Sequence, residues 1–360
     1  MFEKLTKFTD SFLDMGIPGY DCIVMHNGRC VYRHSNGYSD IDSKTPINGK
    51  ERINIYSCSK PITCVAAMQL WEKGKFSLDD KLSDYMPEFY EMNVKTDNGI
   101  RKAEKPILIK HLFEMTAGFS YDTNSESIRK LKADTNGTCP IREAMKYIAK
   151  EPLLFEPGER WEYSLCHDVL AAFVEVVSGV KFSRYVKENI FDRVGMKNST
   201  FSLPDDELDT ISSQYIFDYK ENKPKKIGHE IQFFKFGSMY ESGGAGCISS
   251  LEDYILFLEN LRDGEVLLKR DTIELMIKNR LTEKQGKSYS LWQTHGYGLG
   301  LRCPKDNGEF DDFGWGGAAG SYLAVDTKNN ITVFYAQHMH SSPNQTIRGD
   351  VYKIAKEELV

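Results

Sequence analysis

The 360-residue chain has no long apolar run and no excess of positive charge. No stretch approaches the roughly 20 apolar residues that a membrane-spanning helix needs, and the first residues are amphipathic rather than signal-like. We therefore expect a cytoplasmic protein without a membrane span, although a processed exported form would read the same. The net charge is −6, and the lysine-rich stretches 102–105 and 220–226 are short, so we expect exposed loops there and no nucleic-acid binding.

The sequence also lacks the usual signatures of metal, redox and nucleotide sites. Its eight cysteines show no C-x-x-C spacing, so we expect reduced, mostly buried thiols, with Cys58 as a packing residue. His338-Met339-His340 would place two imidazoles on one face of a strand, but no third ligand is evident. We predict an exposed strand end there and no metal site. A Walker loop, a complete G-x-G-x-x-G and a G-x-S-x-G elbow are also missing.

What the sequence does contain is strand patterns near both ends with helical patterns between them. Asp21–Tyr32 reads as a hairpin around Asn27-Gly28, and Ser321–Asp326 and Ile331–Ala336 read as two further strands. Helical patterns cover residues 141–150, 167–178, 182–191, 251–261, 271–278 and about 346–358. The order predicts an α/β fold of the α+β type, in which an antiparallel sheet built from both termini is flanked by helices.

The same order predicts two lobes. Residues 1–75 and 237–360 would form one discontinuous α/β lobe, residues 76–236 a mostly helical insertion lobe, and the cleft between them would hold the active site. Residues 205–236 show no clear periodicity, so we predict a long loop crossing between the lobes.

The most informative pattern is Ser57-Cys58-Ser59-Lys60, which places a hydroxyl and an amine one helical turn apart. A serine hydroxyl is a weak nucleophile until a base removes its proton, and Lys60 can act as that base. The following run, 65–74, reads as a helix ended by a glycine. The start of that helix would add free N–H groups and positive potential beside Ser57. The pattern alone also fits a capped helix start with an exposed lysine.

Two further stretches could complete an acyl-transfer site. Tyr163 follows a Pro157-Gly158 turn and precedes a helix, and its phenol could carry a proton to a leaving group. A lone tyrosine is more often a core residue. Phe313–Gly320 is rich in glycine before a strand, which marks either a close approach of a ligand to the backbone or a bulge.

In this order the elements resemble the serine β-lactamase-like family of class C β-lactamases, DD-peptidases and family VIII carboxylesterases. Further matches to the family pattern are Ile107–Phe119, Phe191–Met196, Glu241–Gly246 and Gly296–Gly300. The resemblance covers nearly the whole chain. It implies a β-lactamase/transpeptidase-like fold, catalytic roles for Ser57, Lys60 and Tyr163, and an oxyanion hole made by the backbone N–H groups of Ser57 and Ala318.

Two departures from the class C pattern bear on the substrate. Tyr163-Ser164-Leu165 replaces Tyr-x-Asn, and Trp315-Gly316-Gly317 replaces Lys-Thr-Gly. Leu165 cannot hydrogen-bond a drug amide, and Trp315 offers no charge to a carboxylate. We predict that Leu165, Trp315, Gly316 and Gly317 line the substrate site, with Trp315 as an apolar wall beside glycines that make room. Trp315 is also compatible with simple core packing.

The sequence thus favours a serine hydrolase that forms an acyl-enzyme on Ser57, acting as a carboxylesterase on small uncharged esters without metal or organic cofactor. Burial would favour a neutral Lys60 as base, whereas a cationic Lys60 would favour a tyrosinate at Tyr163. One alternative is β-lactamase, DD-peptidase or D-amino-acid amidase activity. An alternative of another class is a catalytically silent, penicillin-binding-like protein. The expected partner is a small-molecule ester or amide, and the oligomeric state is left open.

Overall fold

The computed structural model describes residues 2–228, 231–305 and 310–360. The helices are α1 Glu3–Asp14, α2 Ser59–Glu72, α3 Ile109–Phe113, α4 Glu126–Asp134, α5 Ile141–Ile148, α6 Cys166–Ser178, α7 Phe182–Val186, α8 Asp192–Val194, α9 Leu251–Asp263, α10 Arg270–Met276, α11 Glu283–Gly286 and α12 Asp350–Leu359. The strands are β1 Gly19–His26, β2 Arg29–Asp40, β3 Thr45–Pro46, β4 Ile53–Asn54, β5 Asn93–Thr96, β6 Gly99–Lys102, β7 Gln214–Asp218, β8 Lys223–Ile227, β9 Ile248–Ser249, β10 Gly296–Tyr297, β11 Arg302–Cys303, β12 Phe313–Gly316, β13 Tyr322–Asp326, β14 Ile331–Ala336 and β15 Met339–His340.

The main sheet is antiparallel and combines both ends of the chain, as predicted. Its strand order is β10-β11-β12-β13-β14-β1-β2-β3, so β1 and β14 are neighbours and Ile23 lies opposite Phe334. The predicted hairpin joins β1 to β2 through Asn27 and Gly28, whose φ angles of 51° and 74° suit a tight two-residue turn.

Helices cover both faces of this sheet. Alternate residues of β1 point in opposite directions, so Tyr20 and Cys22 pack with α1 and α12 while Ile23 joins the core on the other face. The carboxyl-terminal helix therefore does cover the sheet, although it begins at Asp350 rather than near Thr346. Because β1 and β14 in its centre are buried on both faces, the sheet provides a rigid support for the segments that leave it.

Helix α2, which follows the Ser57 turn, lies in the middle of the molecule. It is buried from Ser59 to Leu70 and packs against α6. A helix that is mostly apolar all round can be stable only inside a core. Because α2 and α6 come from different predicted lobes, their packing joins the two segments, and the two-lobe division with its boundaries stays a prediction.

The prediction of a long loop over residues 205–236 was wrong for its middle part. That part forms the hairpin β7–β8, and β15 joins β7 in parallel with Met339 opposite Tyr215. In β8 most side chains are exposed lysines, so alternation between apolar and polar residues is weak there and the strand is hard to recognise from sequence. The lysine-rich stretches are exposed, but parts of them lie in β6 and β8 rather than in loops.

The predicted exposed end at His338-Met339-His340 was also wrong. Both histidines are buried: β15 is hydrogen-bonded to β7 in a three-stranded sheet with β8, and the His340 ring packs between Tyr56 and Phe233. No group of three or more potential metal ligands occurs in the described part of the chain.

All eight cysteines lie in described segments and are free thiols, of which only Cys30 is exposed. Across residues 2–228, 231–305 and 310–360, no helix combines the length and apolar character that crossing a bilayer requires.

Four of the buried histidines make the fold sensitive to acid. Burial lowers the pKa of His111 and His340 to about 4, and that of His167 and His295 to about 3. The unfolded chain, with histidine pKa values near 6.5, takes up protons first as the pH falls, so the stability present above that pH is lost toward pH 4. We expect the free energy of unfolding to drop by roughly 1–2 kcal/mol per buried histidine between pH 7.5 and 5.

Urea unfolding of the wild type and of His111→Gln at both pH values tests this expectation. The backbone N–H of Leu108 donates to His111 Nδ1, and a glutamine carbonyl can accept the same bond without titrating. The variant should lose less stability on acidification than the wild type. Equal losses would show that His111 does not contribute to the acid sensitivity.

Candidate active site

Ser57 lies in a single 3₁₀ turn, Tyr56–Cys58, that leads directly into α2. Tyr56 has a φ of 47°, which is costly for a residue with a side chain, by about 1–3 kcal/mol. Surrounding contacts hold it there: its hydroxyl donates to Gln214 on β7, and its ring meets His340 edge-on with centroids 4.5 Å apart. The strained backbone before Ser57 is thus fixed by strands from distant parts of the chain.

The structure brings the side chains of Ser57, Lys60 and Tyr163 into contact. The Tyr163 hydroxyl donates to Ser57 Oγ at 2.6 Å, and Lys60 Nζ lies 3.3 Å from the same oxygen. Lys60 is fully buried, donates to the carbonyl of Gly244 at 2.7 Å, and lies 4.5 Å from the centre of the Tyr163 ring. One serine oxygen is therefore flanked by a phenol and an amine, either of which can exchange a proton with it.

A buried carboxylate, Asp168, lies close to the amine. A β-carbon at Gly244 would be 2.6 Å from Asp168 Oδ2 and 3.4 Å from Lys60 Nζ, so a side chain at this position would crowd both groups. Tyr240 donates to Asp168 Oδ1 at 3.1 Å. Burial raises the pKa of Asp168, while hydrogen bonds and the electrostatic interaction with Lys60 act in the opposite direction.

The sequence analysis missed Asp168. It follows Tyr163 by five positions, in the first turn of α6, where an acidic residue is expected simply to complement the helix dipole. Its partners Gly244 and Tyr240 lie far along the chain. Only the three-dimensional structure relates them to Lys60.

Aromatic rings flank Tyr163 on both sides. The ring of Tyr121 stacks on one face with centroids 5.3 Å apart, and the half-buried Trp315 stacks on the other at 5.8 Å. Phe234 meets Tyr121 edge-on at 5.5 Å. The sequence analysis named Trp315 but not Tyr121 or Phe234, which belong to no recognisable motif. Together they give the surroundings of Tyr163 an apolar character.

Ala318 lies in the turn between β12 and β13, close to the Ser57 turn. A β-carbon at Gly317 would be 2.5 Å from the carbonyl oxygen of Ile55, so only glycine allows the two backbones to approach this closely. Ala318 also packs against the cluster of Tyr56, Ala245 and Ala319. The Ala318 backbone is thereby held near the residue that precedes Ser57.

The two remaining predicted substrate-binding residues occupy different surroundings. Gly316 ends β12 opposite Tyr322, and a β-carbon there would be 3.0 Å from the Arg348 guanidinium. Leu165 is buried and lines a separate cavity of about 50 Å³ with Phe119, Ile128, Ile148 and Leu153. Ser57, Lys60 and Tyr163 are not among the residues that line this cavity, and the binding role of Leu165 stays a prediction.

Comparisons with known proteins identify the fold. The structure of EstCE1, a hydrolase with promiscuous acyltransferase activity, matches with a TM-score of 0.80 at 24% identity, covering 98% of this chain and 97% of that one. Simvastatin synthase from Aspergillus terreus matches with a TM-score of 0.79 at 21% identity, covering 99% and 98%. At these identities the matches establish the fold, and they confirm the predicted β-lactamase/transpeptidase-like architecture.

Sequence comparison extends the result to the family. Esterase EstB of Burkholderia gladioli is 26% identical over 280 residues, which cover 71% of this chain and 68% of EstB. The family model described as Beta-lactamase matches residues 5–355. The chain therefore belongs to the beta-lactamase family of serine hydrolases.

Proposed function

We propose that the protein is a carboxylesterase that transfers the acyl group of small uncharged esters to Ser57 and then to water. The observation that carries this proposal is the position of Ser57 Oγ, 2.6 Å from the Tyr163 hydroxyl and 3.3 Å from Lys60 Nζ. A nucleophile in direct contact with two proton-exchanging groups is the arrangement that acyl transfer requires.

The first half of the reaction forms the acyl-enzyme. Ser57 Oγ attacks the ester carbonyl carbon while the Lys60–Tyr163 pair takes the serine proton. The backbone N–H groups of Ser57 and Ala318 stabilise the negative oxygen of the tetrahedral intermediate. The carbon–oxygen bond to the alcohol then breaks, and Tyr163 returns the proton to the departing alkoxide.

The second half releases the acid. Water attacks the acyl carbonyl carbon of the Ser57 ester, its proton passes to the same Lys60–Tyr163 pair, and the Ser57 oxygen leaves and is reprotonated. The contact of Lys60 Nζ with the Gly244 carbonyl keeps the amine in place through both halves.

The surroundings of Tyr163 favour an ester over a β-lactam. Tyr121 and Trp315 stack on Tyr163, and Phe234 packs on Tyr121, so aromatic rings surround the tyrosine that contacts Ser57. In the sequence, Trp315 replaces the lysine of the class C Lys-Thr-Gly pattern. A buried charged group on a substrate loses binding energy when the site gives it no partner. The relative EstB is named an esterase, which agrees with this choice.

Parallel assays with p-nitrophenyl butyrate and nitrocefin test the substrate class. We expect kcat/KM for the ester to exceed that for nitrocefin by about 10²-fold or more, because Leu165 and Trp315 stand where the class C pattern has an amide and a cation for the polar groups of the lactam. Rates measured with Ser57→Ala serve as the background for both substrates. Faster cleavage of nitrocefin would instead support a β-lactamase, and the absence of any acyl adduct on Ser57 by mass spectrometry would support a silent binding protein.

A further inference from the structure

The guanidinium of Arg348 lies behind the turn that carries Ala318. It precedes α12, and its Nη2 donates to the carbonyl oxygen of Gly317 at 3.1 Å. The same nitrogen is 3.0 Å from the place where a β-carbon at Gly316 would be, so the side chain lies directly against the end of β12. Among the described residues, no carboxylate lies within ion-pair distance of Arg348.

A half-buried arginine without a carboxylate partner is unusual, because burying a charge is costly unless other groups compensate. Burial lowers the pKa of Arg348, and electrostatic interactions with Cys58, Tyr335 and Tyr322 act in the opposite direction. An arginine stays protonated even so. Within the described part of the chain, its side-chain hydrogen bond goes to the Gly317 carbonyl.

That carbonyl belongs to the same peptide group as the Ala318 N–H. A peptide group is planar, so a hydrogen bond that fixes the carbonyl oxygen also fixes the direction of the N–H. Hydrogen bonding to the oxygen also polarises the group and makes its N–H a stronger donor. The bond from Arg348 is charge-assisted, and the Gly320 N–H donates to the same oxygen at 3.0 Å.

We propose that Arg348 is a positioning residue for the oxyanion hole: its guanidinium orients and polarises the Gly317–Ala318 peptide so that the Ala318 N–H points at the developing oxyanion. This inference rests on the proposed function, in which the Ala318 N–H is one of the two oxyanion donors. Arg348 itself touches no reacting atom.

The vibrational frequency of the acyl-enzyme carbonyl tests this role directly. The full-length wild type, Arg348→Lys and Arg348→Met are acylated with a slowly hydrolysed p-nitrophenyl ester carrying a ¹³C-labelled carbonyl, and the stretch is read from the isotope difference spectrum. Stronger hydrogen bonds to the carbonyl oxygen lower this frequency. We expect the frequency to rise in Arg348→Met and to be intermediate in Arg348→Lys, with kcat about tenfold lower in Arg348→Met and KM unchanged.

Arg33→Met is the control for loss of an arginine charge, since Arg33 is more exposed and pairs with Asp21 away from the site. It should leave the carbonyl frequency unchanged. An unchanged frequency and kcat in the Arg348 variants would overturn the proposal. So would a rate loss confined to esters that carry a carboxylate, because Arg348 would then contact the substrate instead.

Two further results separate failure of this proposal from misfolding of a variant and from failure of the proposed function. If Arg348→Met does not fold, Arg348→Lys alone must still raise the frequency for the proposal to stand. Failure of the proposed function is seen separately, because the wild type would then form no adduct on Ser57.

Discussion

Replacing Ser57 with alanine is expected to lower kcat/KM for p-nitrophenyl esters by about 10⁴-fold or more and to abolish labelling by a fluorophosphonate probe. The variant removes the oxygen that both Tyr163 and Lys60 contact, so no acyl-enzyme can form. The remaining backbone donors could still bind a substrate, and KM should therefore change much less than kcat. Steady-state ester assays measure the loss of kcat/KM, and in-gel detection of the fluorophosphonate probe measures the loss of labelling.

Ser59→Ala is a matched control two residues away. The Ser59 hydroxyl is buried and accepts a hydrogen bond from the Cys247 N–H at 2.9 Å, so its loss should cost about 1–3 kcal/mol of stability but should preserve labelling. If Ser57→Ala is still labelled while Ser59→Ala is not, the nucleophile has been misassigned.

Tyr163→Phe is expected to lower kcat for the same esters by about 10²–10⁴-fold, the usual contribution of a positioned general acid–base group. The change removes only the hydroxyl that bonds to Ser57 Oγ at 2.6 Å. The phenylalanine ring can keep the stacking on Tyr121 and Trp315, so substrate binding and thermal stability should change little. Single-turnover acylation separates the proton-transfer defect from product release.

Tyr289→Phe provides the comparison for removal of a tyrosine hydroxyl nearby. Its ring packs on Trp161 at 4.7 Å, and its buried hydroxyl has no hydrogen-bond partner in the described part of the chain. This variant should keep nearly full activity. A Tyr163→Phe enzyme that is equally active would assign proton transfer to Lys60 alone.

Features that depend on local spacing could be predicted from the sequence. The three-residue step from Ser57 to Lys60 predicts a contact across one turn, and the two side chains do meet. Asn27-Gly28 predicts a tight hairpin because both positions need positive φ, which the structure shows. Strand patterns at both termini predicted a shared sheet, because apolar strands must be buried around one hydrophobic core.

Features that depend on contacts between distant segments could not be predicted from the sequence. Tyr56 donates a hydrogen bond to Gln214, which is 158 positions away in the sequence. Arg348 donates to the carbonyl of Gly317, and strands β13, β14 and β15 lie between the two residues in the sequence. Neither Gln214 nor Arg348 has a neighbouring pattern that indicates its role. The hairpin around Gln214 escaped notice because a short, lysine-rich edge strand has almost no apolar face.

The pairing of β1 with β14 has a consequence for how the protein matures. During synthesis, β1 leaves the ribosome early, but its neighbour β14 is made only after more than 300 further residues. The Trp315–Ala318 segment reaches the ribosome exit equally late, so a nascent chain that already carries Ser57, Lys60 and Tyr163 still lacks one side of its site. Long-range pairing of this kind folds slowly and exposes strand edges meanwhile. Hydrolytic competence should therefore appear only after the Trp315–Ala318 segment and β14 have left the ribosome, and truncations that remove β14 should cause aggregation rather than partial activity.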